Sequence, residues 1–285
     1  MTGSDVGWSL AVGHRGEVVH TECTGPHTPA TRFDIASTSK QFTGLAALLT
    51  LDLDDEIWRL LHHRSGLPDY IELLKAAGYG YRDVTTTADA LAVLDGTPLD
   101  FEPGTAWAYS NTNYFVLGQR VEEATGESLG EVLQERVFGP LGLDMVMDPL
   151  DRHPDNATSF DVNGDPADSP WEQVGDGAMW STPSELVRWA DAYSTAPLGE
   201  EVLALQLSTV ETTDEDGDRG GVGIFVSEVT GHRVLYHHGD WSGFETFFTL
   251  DPEARVAVAV CTNQPGLADH ARSQAILQEW RDRLT

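Results

Sequence analysis

Three short stretches of this sequence carry side chains that could do covalent chemistry together. The first is Ser37-Thr38-Ser39-Lys40. A serine hydroxyl is a weak nucleophile and needs a base beside it. Burial disfavours a charged lysine, so a lysine packed against apolar walls can take up that proton. If a helix begins here, Ser37 and Lys40 share a face. The helix N-terminus then brings partial positive charge to where an oxyanion would develop. The plainer reading is a helix cap followed by a solvated lysine. Against it stands the scarcity of lysine, since Lys40 and Lys75 are the only two in the sequence. The second stretch, Tyr109-Ser110-Asn111, follows the turn Glu102-Pro103-Gly104-Thr105. A tyrosine near a lysine can pass on a proton, and an asparagine can grip an amide. The alternative is a structural loop ahead of a helix. The third stretch, His237-His238-Gly239-Asp240, closes a strand. Glycine there lets a ligand approach the strand edge; the alternative is a strand end with surface histidines.

These stretches need a frame to bring them together. At the N-terminus Gly7-Trp8-Ser9-Leu10-Ala11-Val12 and Glu17-Val18-Val19-His20-Thr21 read as a β-hairpin about the turn Gly13-His14-Arg15-Gly16. Strands return at 221–228, 233–237, 245–250 and 255–261. The run Val256-Ala257-Val258-Ala259-Val260 is apolar throughout, which predicts burial on both faces. The chain closes in an amphipathic helix with Ile276, Leu277, Trp280 and Leu284 on one side. The middle is helical in pattern. Thr182-Pro183-Ser184-Glu185 reads as a capping box with proline at the first helical position. Ser128-Leu129-Gly130-Glu131 opens another helix, and 113–125 forms a third that stops at Gly126. The expected class is α+β: an antiparallel sheet built from both termini and flanked by helices. Residues 1–33 and 209–285 would form the sheet domain and 34–208 an inserted, mainly helical domain, with the active site between them.

The bulk composition limits the partners. A chain of 285 residues suits one large domain or a domain with an insertion. No run of 18 apolar residues exists, so no transmembrane helix is expected. Met1-Thr2-Gly3-Ser4-Asp5 shows no signal peptide, which reads as cytoplasmic, although a trimmed exported form would look the same. Forty-six acidic against 17 basic residues give a formal charge of −29. That argues against nucleic acid and anionic membranes as partners. The acidity reads either as a very soluble surface or as adaptation to high salt. Asp214-Glu215-Asp216-Gly217-Asp218 lacks the glycine position and closing glutamate of a calcium loop. His62-His63 and His237-His238 are adjacent, not at i, i+4, so no zinc site is expected. Of the two cysteines, Cys23 and Cys261, the latter ends a buried strand and reads as an inert core thiol.

In this order the three stretches resemble those of the serine β-lactamase and penicillin-binding-protein-like hydrolases. The class C β-lactamase-related branch, with its D-alanyl-D-alanine carboxypeptidases, D-aminopeptidases and esterases, is the most similar. The resemblance covers nearly the whole chain. It runs through Phe33–Thr43, the turn Leu61-His62-His63-Arg64-Ser65-Gly66-Leu67, the stretch from Phe101-Glu102-Pro103-Gly104 to Tyr114, Phe138-Gly139-Pro140-Leu141-Gly142-Leu143 and Asp251-Pro252. It implies an acyl-enzyme hydrolase acting on an amide or ester of a small-molecule or short peptide substrate. Ser37 would be the nucleophile, Lys40 its base and Tyr109 the second proton-transfer group. Asn111, His237 and Gly239 would contact substrate, and the backbone amides of Ser37 and Asp240 would form the oxyanion hole. No metal or organic cofactor is implied. His237 stands where many relatives carry the lysine of Lys-Thr-Gly. The connection from Leu51 to Leu60 is shorter than usual, which alters the rim of the site. A catalytically silent binding protein that kept the fold is the rival reading.

Overall fold

The computed structural model describes residues 5–212 and 218–285, so all of the acidic run 214–218 except Asp218 lies outside the described residues. Its strands are β1 (Trp8–His14), β2 (Glu17–Cys23), β3 (Phe33–Asp34), β4 (Val146–Met147), β5 (Met179–Ser181), β6 (Val210–Glu211), β7 (Arg219–Gly220), β8 (Phe225–Val229), β9 (His232–Trp241), β10 (Phe244–Asp251) and β11 (Val256–Thr262). The helices are α1 (Lys40–Thr50), α2 (Asp55–Leu61), α3 (Tyr70–Ala76), α4 (Thr87–Leu94), α5 (Asn111–Thr125), α6 (Leu129–Leu133), α7 (Gly139–Leu141), α8 (Pro183–Trp189), α9 (Ala192–Thr195), α10 (Glu200–Gln206) and α11 (His270–Leu284).

Eight strands make one antiparallel sheet in the order β2-β1-β11-β10-β9-β8-β7-β6, so both ends of the chain supply it. The last strand in sequence, β11, sits between β1 and β10 and is buried along its whole length. Its alternating side chains serve two cores. Val256, Val258 and Val260 pack with Leu277 of α11 and its neighbours Ile276, Trp280 and Leu284. Ala257, Ala259 and Cys261 face the larger core, shared with α1, α5 and α8. Burial pushes the Cys261 thiol up to about 12, consistent with an inert core residue. Helix α8 covers β1 on the face opposite α11. A Cβ on Gly13 would lie 2.8 Å from Cβ of Val187, so only glycine admits that approach. A second, three-stranded sheet, β3-β5-β4, lies ahead of α1.

Several local expectations hold, and two are corrected. Helix α5 ends at Gly126 with φ 74°, the left-handed cap that glycine adopts without strain. Ser128 and Glu131 complete a reciprocal capping box on α6. On α8 only half of the expected box forms. Thr182 accepts the Glu185 N–H, but the Glu185 carboxylate instead holds Arg188 at 2.7 Å and the Asp144 N–H at 3.0 Å. The strand expected from residue 221 starts only at Phe225. Gly223, at φ 66°, is pressed onto α1, where a Cβ would come within 2.4 Å of the Gln41 nitrogen. Among the described residues no helix is long and apolar enough to cross a membrane.

Many of the basic side chains are already paired. Arg32, Arg120, Arg188, Arg255 and Arg281 each hold a carboxylate, so the remaining acidic surplus repels itself. Screening shortens from about 30 Å at 0.01 M salt to about 3 Å at 1 M. The melting temperature is therefore expected to rise from dilute buffer to molar NaCl. A melt series that is flat or falling above about 0.5 M would remove the high-salt reading and leave an ordinary acidic surface.

Candidate active site

The turn carrying Ser37 is set by its flanks. Strand β3 pairs with β5, and the Ile35 N–H continues that pairing to the Met179 carbonyl at 2.9 Å. The chain then turns sharply. Ala36 takes φ 47°, a left-handed conformation costing about 1–3 kcal/mol for a non-glycine residue. The Asp34 carboxylate accepts the Ala36 N–H at 2.8 Å and helps hold it there. A single 3₁₀ turn, Ala36–Ser39, leads into α1, so Ser37 precedes the helix and Lys40 is its first residue. Strand β9 passes directly against this turn. A Cβ on Gly239 would lie 2.3 Å from the Ile35 oxygen and 3.1 Å from the Ser37 nitrogen. Gly239 is thus required to seat the Ser37 turn, a different reason from the ligand approach expected of it.

Lys40 is fully buried, which rules out the solvated cap-and-lysine reading. Its Nζ donates to Ser37 Oγ at 2.9 Å, Asn111 Oδ1 at 2.8 Å and the Asp176 carbonyl at 2.6 Å. Two of these acceptors are carbonyl oxygens, which can only accept. The amine therefore keeps two N–H groups on them in either protonation state. The third direction, toward Ser37 Oγ, is the one along which a proton can move. Asn111 is fixed in turn. Its N–H and its Nδ2 both donate to Asp69 Oδ2, at 2.8 and 2.9 Å. An ionised carboxylate only accepts, so the amide oxygen must face Lys40. Most of the hydrogen-bonding capacity of Asn111 is thus spent inside the protein, leaving one Nδ2 proton for a substrate.

Tyr109 is half-exposed above this network, its ring centroid 5.2 Å from Lys40 Nζ. It stacks on His63, with centroids 4.5 Å apart and planes at 26°. Burial, with the Lys40 charge adding, pushes His63 down to about 3, so the ring is neutral. Its Nδ1 accepts the Ser110 N–H at 3.2 Å. His237 is also buried, and burial with the neighbouring His238 holds its pKa well below the usual value. Its Nδ1 donates to the His238 carbonyl at 2.7 Å. A neutral ring lies here, packed on Phe225 and 6.5 Å from the Tyr109 ring. Strand β8 pairs with β9 only as far as Tyr236. Beyond it the edge of β9, including Asp240, is left beside Ser37.

The cleft at Ser37 is lined by three carboxylates, Asp34, Asp176 and Asp240, and by the aromatic rings of Tyr70, Trp171 and Trp241. Burial pushes Asp34 up to about 7, and the charge of Asp176 adds to the rise. Burial also raises Asp176, to about 6, against the opposing pull of Lys40. Tyr70 donates to Asp176 Oδ2 at 3.0 Å. Asp34, Asp69 and Asp176 were not singled out from the sequence. Asp69 looks there like an ordinary helix cap, and it does cap α3 through the Ile71 N–H.

The Beta-lactamase family model matches residues 2–279. The chain belongs to the beta-lactamase family. Within it, the chain is 26 % identical over 306 residues to a D-aminopeptidase of Gluconobacter oxydans (strain 621H), covering 95 % of this chain and 58 % of that protein. A D-aminopeptidase of Brucella canis is 26 % identical over 302 residues, with coverages of 93 % and 58 %. The chain thus spans a little over half the length of these relatives. Solved structures of similar shape include a D-stereospecific amidohydrolase from Streptomyces sp. It has a TM-score of 0.84 at 20 % identity over 96 % of this chain and 94 % of that one. The D-amino acid amidase from Ochrobactrum anthropi SV3, complexed with L-phenylalanine amide, has a TM-score of 0.79 at 22 % identity, covering 98 % and 95 %. These likenesses show the α+β fold of the beta-lactamase family.

Proposed function

We propose that this protein is a serine hydrolase that cleaves amides, with D-amino-acid amides and short D-peptides as its substrate class. The observation that carries the reading is the buried Lys40 amine, hydrogen-bonded to Ser37 Oγ and held there by two carbonyl oxygens. In the first step the Ser37 Oγ–H proton passes to Lys40 as Oγ bonds to the scissile carbonyl carbon. The carbonyl oxygen becomes an oxyanion beside the backbone N–H groups of Ser37 and Asp240. Tyr109 gives its phenolic proton to the leaving nitrogen as the C–N bond breaks, and Lys40 returns a proton to Tyr109. Water then attacks the ester by the reverse proton path and frees Ser37. His63 acts beneath Tyr109 as a neutral platform. The D-amino-acid preference is supported by the names of the relatives. Ammonia release from D-alaninamide and L-alaninamide tests it: release from the D-form in excess is expected, and equal or L-preferring release would overturn the substrate class.

The neutral His237 bears on β-lactams. Their carboxylate needs a fixed cation, and a buried imidazole with its Nδ1 proton on a carbonyl offers none. Short esters are expected to outperform penicillins on the unmodified protein. His237→Lys is expected to raise penicillin turnover relative to ester turnover. Penicillin hydrolysis by the unmodified chain far above its esterase rate would contradict this.

A further inference from the structure

The lining of the cleft has one sign of charge. Asp34, Asp176 and Asp240 face it, and no lysine, arginine or histidine is among its lining residues. Lys40 lies beneath, its Nζ engaged by Ser37 Oγ, Asn111 Oδ1 and the Asp176 carbonyl. Asp34 is 8 % exposed, and only its Oδ1 is hydrogen-bonded, to the Ala36 N–H, one residue before the nucleophile. Its Oδ2 accepts no hydrogen bond from any described residue. An ionised carboxylate oxygen that faces a cleft with no donor from the protein is open to a ligand that donates to it. Asp176 is 6 % exposed and holds only the Tyr70 hydroxyl on its carboxylate. Tyr70, Trp171 and Trp241 supply aromatic surface to the same lining. Trp171 and Trp241 meet edge-to-face with centroids 5.1 Å apart, and π-faces attract organic cations. Among the described residues no three acidic, histidine or cysteine side chains converge closely enough to hold a metal ion. Spread carboxylates with aromatic walls fit a larger, softer cation.

We propose that Asp34, backed by Asp176 and Asp240, receives an ammonium group of the substrate, so that this site selects amides and esters bearing a protonated amine close to the scissile carbonyl. This rests on Ser37 being the nucleophile. The mutual crowding that burial imposes on Asp34 and Asp176 fits, since a bound ammonium favours the ionised form of both.

The test compares D-alanine methyl ester with methyl propionate, in which a hydrogen replaces the ammonium, at pH 7. The kcat/KM ratio is expected to favour the ammonium ester by about tenfold or more, the scale of one charged hydrogen bond. Asp34→Asn keeps an oxygen for the Ala36 N–H but removes the charge, and the ratio is expected to collapse toward one. A wild-type ratio near or below one, or a ratio unchanged in Asp34→Asn, overturns the proposal while leaving the serine hydrolase intact. Turnover of neither ester, with no acyl group on Ser37, overturns the hydrolase reading and this proposal with it. Should Asp34→Asn not fold, the wild-type protein carries the test alone. Ethylammonium chloride must then inhibit methyl propionate hydrolysis competitively, and sodium acetate at equal ionic strength must not; the opposite pattern refutes the ammonium subsite.

Discussion

Ser37→Ala is expected to reduce turnover of every amide and ester substrate to background, a loss on the order of 10⁶-fold, as removal of the nucleophile does in other serine hydrolases. The fold should survive. Ser37 is only half-buried, and its hydroxyl is hydrogen-bonded to the Lys40 amine, which keeps two carbonyl acceptors without it. An unchanged circular dichroism spectrum beside a lost rate is the expected pair of results. A Ser37→Ala protein that keeps most of its rate would mean that the hydroxyl at the head of α1 is a bystander, and the rival reading of a binding protein on this fold would return.

The second large effect belongs to Lys40. Lys40→Ala is expected to lower kcat by about 10²–10⁴-fold, the usual share of a general base. Tyr109→Phe should fall in the same range. Because the two hand on one proton, the double variant should lose much less than the product of the single losses. Lys40→Ala also leaves Asn111 Oδ1 and the Asp176 carbonyl without a donor in the core. Each orphaned acceptor costs about 1–3 kcal/mol, so the melting temperature should drop as well. Tyr109 has no such structural duty: it is half-exposed and stacked on His63. Tyr109→Phe should therefore lose rate at an unchanged melting temperature. Strictly additive losses in the double variant would argue against a shared proton path.

What could be read from the sequence followed from local chemistry and, for the site as a whole, from the resemblance of its three stretches to a known family. Ser37 and Lys40 lie on consecutive turns of one segment, so their residue types and spacing suffice to bring them together. Tyr109 and Asn111 flank the start of α5, whose apolar period and glycine stop are visible in the residues. The buried strand β11 and the apolar face of α11 follow from periodicity in the same way. What stayed hidden depends on contacts far apart along the chain. Asp176 is 136 positions from Lys40, in a loop with no motif, and only the folded chain puts its carbonyl on the amine. Asp69 caps α3 with one oxygen and fixes Asn111 with the other, and the first role masks the second. His63 was visible as part of a turn, but its neutral ring under Tyr109 depends on burial that no local pattern reports. The segment 221–224 reads as strand, yet close packing of Gly223 on Gln41 draws it away from the sheet.

The central claim is that Ser37 carries the acyl group. It is tested most directly by quenching a reaction with a p-nitrophenyl ester in acid within the first turnover, then weighing the intact protein and mapping the adduct by peptide mass spectrometry. The account predicts one added acyl group, located on the peptide containing Ser37 and absent from Ser37→Ala. An adduct on another residue, or product release with no covalent species on Ser37 at any time, would contradict it.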